Sequence, residues 1–135
     1  MKATGEPLEI KKSADHIFNF LNDFTNFEHL MPEQINNWKA DKDSCSFEIN
    51  NMATIELRIA ERVPAQMLKM VSEGKSPFPI QLVSNLQNKG GELCAFHFEI
   101  TAEANPMISM MVKKPLQNLV NIMGERLKEF MEKQG

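Results

Sequence analysis

From residue 35 to residue 100 the apolar residues fall on every second position, and this one property excludes most architectures. Trp38 and Ala40 begin the alternation, followed by Cys45, Phe47 and Ile49, then Ala53, Ile55, Leu57 and Ile59. Leu68 and Met70, then Ile80, Leu82 and Leu86, then Cys94, Phe96, Phe98 and Ile100 continue it. A period of two is that of strands buried on one face. The alternation is broken at Asp41-Lys-Asp43, Asn50-Asn51, Val63-Pro64, Gly74-Lys-Ser-Pro-Phe-Pro79 and Lys89-Gly-Gly-Glu92, all short turn or loop signals. Connections this short join antiparallel neighbours, because parallel pairing needs a long crossover. Six consecutive antiparallel strands are expected.

On both sides of this block the period changes. Residues 6–12 alternate Leu8 and Ile10 against charged neighbours and predict one more strand, making seven. Ser13 is placed to cap a helix over 14–22, which carries Ile17, Phe18, Phe20 and Leu21 at helical spacing. Phe24, Phe27, Leu30 and Met31 predict a second short helix ending at Pro32. Asn105-Pro106 reads as an N-cap with a first-turn proline. The following stretch to Lys133 sets Val112, Leu116, Leu119, Val120, Met123, Leu127 and Phe130 opposite Lys113, Gln117, Asn121, Lys128 and Glu132. Pro115 is expected to kink this helix or to split off a first turn holding Met107 to Met111. Gly124 would allow close approach to the sheet. The expectation is one α+β domain over residues 1–135: a seven-stranded curved antiparallel sheet around a long C-terminal helix, with two short helices between strands one and two.

Charge and composition narrow the function classes. Fifteen basic against eighteen acidic residues give a net charge of −3, and only Arg58, Arg62 and Arg126 could read phosphate in bidentate fashion. Nucleic acid is therefore not an expected partner. No run is long enough to span a bilayer, and the polar N-terminus lacks the apolar centre of a signal peptide, so integral membrane association is not expected and the expected localisation is cytoplasmic. Cys45 and Cys94 stand inside apolar alternations and read as small buried hydrophobes in a reducing compartment. His16, His29 and His97 are scattered, with no HExxH or paired-Cys spacing, so no metal or cofactor is expected. Tyrosine is absent, no GxSxG occurs, and the strands carry no inward carboxylate pair, so no catalytic residue is assigned.

The order strand, two helices, six antiparallel strands and long terminal helix resembles the START-like (SRPBCC) superfamily, over essentially the whole chain. Its local markers are Leu8-Glu-Ile-Lys-Lys-Ser-Ala-Asp-His-Ile-Phe-Asn-Phe-Leu and Asn26-Phe-Glu-His-Leu-Met-Pro32. The chain looks like the small bacterial members described as polyketide cyclase or lipid-transport-like. The resemblance implies the helix-grip fold and, between sheet and terminal helix, an apolar cavity for a lipid-, sterol- or polyketide-like molecule.

Carried onto this sequence, that cavity would be walled by Phe47, Ile49, Ile55, Leu57, Leu68, Met70, Leu82, Phe96 and Phe98 from the sheet. Leu116, Leu119, Val120 and Met123 would come from the helix. Alternate turns of an antiparallel sheet lie at one end, which gathers the Asn50-Asn51 turn, the loop at 76–79 and the start of the terminal helix. Met52, Phe78, Met107, Met110 and Met111 would form a soft rim there. Ser72 and Ser84 fall on the inward register and could give a ligand a hydrogen bond. Three functions stay open: carriage of a small hydrophobic ligand, a cyclase or dehydratase-like enzyme, and a protein-interaction module with a filled core, monomeric or homodimeric.

Overall fold

The computed structural model describes residues 1–49, 53–74 and 76–133. Its elements run β1 (Lys2–Thr4), β2 (Leu8–Ile10), α1 (Ala14–Leu21), a 3-10 helix (Phe24–Leu30), β3 (Ile35–Ala40), β4 (Ser44–Ile49), β5 (Ala53–Val63), β6 (Met67–Ser72), β7 (Ile80–Asn88), β8 (Cys94–Ala102) and α2 (Pro106–Lys133). The strands form one antiparallel sheet in the order β1-β8-β7-β6-β5-β4-β3, with β2 also on β8. The six consecutive strands β3 to β8 follow the alternation in the sequence, and their inward residues are buried. The expected turn at Asn50-Asn51 and rim residue Met52 lie outside the described residues, as does Lys75 of the loop before β7.

The N-terminal strand differs from expectation. Within the expected stretch only β2 forms, and a further strand, β1, precedes it, so the described residues make a sheet of eight strands rather than seven. The expected stretch 6–12 contains Pro7, which has no N–H to give to the ladder. Gly5 steps across the gap by donating its N–H to the Phe98 carbonyl at 2.8 Å. The chain before it then continues along β8, where the terminal ammonium donates to Ala102 O at 2.7 Å and Ala3 is fully buried.

Local chemistry sets the other boundaries. Ser13 Oγ accepts the His16 N–H at the start of α1, and Asp23 accepts the Thr25 N–H at the start of the 3-10 helix. Asn105 Oδ1 accepts the Ile108 N–H at the start of α2. In the β5–β6 turn the Gln66 N–H closes on Val63 O while Ala65 holds φ 62°, a conformation usually left to glycine. Gly90 and Gly91, both at positive φ, turn the chain from β7 to β8.

Helix α2 runs unbroken through Pro115 rather than dividing there. Its core face carries Leu116, Leu119, Val120, Met123, Gly124, Leu127 and Met131, all buried. Two glycines let this face come close to the N-terminal strands. A Cβ on Gly5 would stand 3.2 Å from the carbonyl oxygens of both Phe98 and Val120, and one on Gly124 would stand 3.3 Å from Leu8 Cδ1. Polar ties secure the same junction. Gln117 donates to Thr4 O at 2.8 Å, Glu6 N–H to Asn121 Oδ1 at 3.2 Å, Lys128 to Glu9 O at 2.6 Å and Lys11 N–H to Glu132 at 3.1 Å. Arg126 reaches across to the Met31 carbonyl. All of these ties lie C-terminal to Pro115.

Because the atoms facing Gly5 are backbone oxygens of two different elements, neither can swing aside. Gly5→Ala should therefore lower stability by about 1–3 kcal/mol, read as a shift of the denaturant midpoint. An unchanged midpoint would mean that the strand and helix are less tightly joined than described.

Candidate functional site

The sheet curves around α2, and the space between them contains two small voids of about 20 Å³ each. Such a void holds about one water molecule, far below the roughly 300 Å³ at which small-molecule sites begin. The interior is thus nearly filled in this conformation. The described residues lining either void are all apolar.

The first void draws on all parts of the fold. The sheet gives it Phe47, Ile49, Leu57 and Leu82, and α2 gives Leu116, Leu119 and Met123. These seven are among the expected wall residues, and the structure brings them together. It adds Phe24, Phe27 and Met31 from the 3-10 helix and its end, and Trp38, Cys45, Ile80 and Ile100 from the sheet. Trp38 stacks on Phe47 with centroids 5.6 Å apart, and the Phe27 and Phe98 rings meet edge-on at 6.4 Å. The additional residues were visible in the sequence as members of apolar stripes. Which of them face one small space depends on how the 3-10 helix docks, and no local pattern encodes that.

The second void lies toward the start of α2, between Ile49, Ala53, Ile55, Phe78, Ile80, Val112, Pro115 and Leu116. It shares Ile49, Ile80 and Leu116 with the first. Expected wall residues Leu68, Met70, Phe96, Phe98 and Val120 are buried in the core but line neither void. Among the described residues of the expected rim, Phe78 is the one that lines a void. Met107, Met110 and Met111 are 73, 82 and 56% exposed and line neither. The reason is helical phase: Ile108 and Val112 turn toward the core at this end, which puts those three methionines on another face.

Polar chemistry inside is sparse. Among the described residues Ser84 is the one buried polar or charged residue; it is fully enclosed, and its Oγ has no hydrogen-bond partner. Ser72 is only half-buried, and its Oγ accepts the Ile80 N–H at 3.0 Å. The Cys45 thiol, in the wall of the first void, is pushed up to about 12 by burial, partly offset by a backbone hydrogen bond at Leu57. Burial also raises the Cys94 thiol. Both cysteines are free. The three histidines stand apart from the voids: His16 is exposed on α1, His29 stacks on Phe130 at 4.8 Å, and His97 lies 3.4 Å from the Asn85 side-chain amide. Among the described residues no cluster of His, Cys, Asp or Glu could hold a metal ion, and no helix is long and apolar enough to cross a membrane.

A thiol raised from 9.0 to about 12 carries about 1000-fold less thiolate at neutral pH. Native Cys45 should thus resist alkylation at pH 8 until denaturant is added, when both thiols react. The raised value also means that burial of Cys45 stabilises fully below pH 9 and that this contribution is lost as the pH climbs toward 12. Rapid modification of Cys45 in the native protein would contradict the burial described.

The chain matches no protein-family model and no curated protein. It is similar to solved structures along its whole length. A START superfamily protein from Mycobacterium smegmatis is 12% identical at a TM-score of 0.78, with 99% of each chain covered. A conserved protein from Geobacillus kaustophilus is 12% identical at 0.71, covering 98% of this chain and 96% of that one. Norcoclaurine synthase from Thalictrum flavum, solved with dopamine and hydroxybenzaldehyde, is 12% identical at 0.73, covering 100% of this chain and 89% of that one. Identities at this level speak for architecture alone. The chain has a START-like, helix-grip α+β fold.

Proposed function

We propose that this protein binds and carries a small hydrophobic molecule between its sheet and α2, in a cavity that widens from the two voids when the ligand enters. The observation that carries the reading is the placement of the second void beside Pro115. Proline has no N–H to give to the Met111 carbonyl, so the helix lacks one rung where it walls the second void. The polar ties between α2 and the N-terminal strands lie beyond that point, from Gln117 to Glu132. The first turns of α2 can therefore lift while the rest stays fastened. Leu116, the helix residue common to both voids, stands next to Pro115, and a turn of its side chain would join them. Met31 and Met123 can repack around an irregular guest at little cost.

An enzymatic reading has less support, because among the described residues the lining is apolar and offers no acid–base pair. A second binding reading draws on the exposure of Met107, Met110 and Met111, which form an apolar face outside the voids and could seat a second copy of the chain. The free, protonated thiols suit a reducing compartment, in keeping with a cytoplasmic carrier.

Trp38 is the only tryptophan and lines the first void, so its emission reports directly on occupancy. Titration with a medium-chain apolar compound should shift that emission saturably, while light scattering shows no change of mass. An unchanged Trp38 signal, with the compound instead promoting a dimer, would favour the methionine face and contradict the cavity reading.

A further inference from the structure

Ser84 is the residue that the rest of the interior does not explain. A buried hydroxyl normally finds a partner, because leaving one unpaired in an apolar core is costly. Here its Oγ is fully enclosed and unpaired. It sits on β7 directly opposite Leu68 of β6 and Phe98 of β8. The inward positions of β7 run Ile80, Leu82, Ser84 and Leu86, and the first two line the voids. Ser84 is therefore the next inward position, about 7 Å further along the strand. On β8 the same relation holds, since Ile100 lines the first void and Phe98, opposite Ser84, is the next residue inward. The Phe98 ring meets that of Phe27, itself a wall residue.

We propose that Ser84 is the polar anchor at the inner end of the widened cavity, and that the ligand is an uncharged amphiphile with a single hydroxyl or carbonyl group at its leading end. The inference rests on the hydrophobic-carrier reading above. Two observations select the class. The hydroxyl can donate to a carbonyl or accept from an alcohol, so either group would satisfy it. Among the described residues no lysine, arginine or histidine is buried, so a carboxylate drawn to the same point would be left uncompensated in an apolar medium. Ser72, the other inward-register serine, is half-buried and its Oγ accepts the Ile80 N–H, whereas the fully buried Ser84 hydroxyl has both its donor and its acceptor capacity unused.

The test uses three probes of matched length, 1-octanol, octanoate and nonane, titrated against the wild type and Ser84→Ala with Trp38 emission as readout. The quantity compared is the ratio of octanol to nonane affinity, which cancels any general change in the cavity. In the wild type octanol should bind more tightly than octanoate by at least about tenfold. The octanol-to-nonane ratio should fall about five- to tenfold in Ser84→Ala. Ser84→Cys, which retains a weak donor, should fall in between. A ratio unaffected by Ser84→Ala, with all three proteins still binding nonane, overturns the anchor and leaves the carrier reading in place. Octanoate binding at least as well as octanol overturns the ligand class. Failure of every probe to bind the wild type overturns the carrier reading and the anchor together.

Discussion

The structure depends on how closely the terminal helix can approach the strands at its back. Glycine at two points makes this contact possible: Gly5, where a Cβ would press on two carbonyl oxygens, and Gly124, where it would press on Leu8. With the helix seated, Leu116, Leu119, Val120, Met123, Leu127 and Met131 are withdrawn from water against the inward residues of the sheet. Burial on this scale is the main source of stability for a domain of this size. The polar ties from Gln117 to Glu132 add direction to that contact more than energy, since most of them are exposed. Tight seating at one end leaves the other end of the helix free to do something else.

That other end combines a missing helix rung at Pro115, a small void beneath it and methionines turned to solvent. The interior is fastened by polar ties along the helix beyond Pro115, and its second void lies toward the start of that helix. Its chemistry is equally one-sided. Burial holds the Cys45 thiol protonated, the wall residues are apolar, and the buried hydroxyl of Ser84 stands alone.

The legibility of the fold in the sequence follows from how local each signal is. The six strands from β3 to β8 were readable because each buries one face, and period-two alternation is written within a few residues. Ser13 and Asn105 announced their helices for the same reason. The short strand β1 carries no such local signal, because the step at Gly5 and Pro7 that sets it along β8 depends on distant Phe98. The wall residues showed a similar limit. Phe47, Leu57, Leu82, Leu116 and Met123 could be placed from their own elements, whereas Phe24, Phe27 and Met31 enter the wall through the docking of an irregular 3-10 helix. Met107, Met110 and Met111 were placed by their position along α2, but their phase around it turns them outward. Ser84 was visible as an inward serine, yet only the three-dimensional structure could reveal that its hydroxyl lacks a partner.

The central claim is that a ligand enters between sheet and helix rather than settling on the surface. The methionines are distributed so as to decide this. Met31 and Met123 line the first void, whereas Met107, Met110 and Met111 face solvent. Methyl carbon NMR of the methionine-labelled protein, recorded during titration with 1-octanol, reads both groups at once. The account predicts saturable shifts of the Met31 and Met123 methyls at the concentration that occupies the site. Shifts confined to Met107, Met110 and Met111, with Met31 and Met123 unmoved, would contradict it.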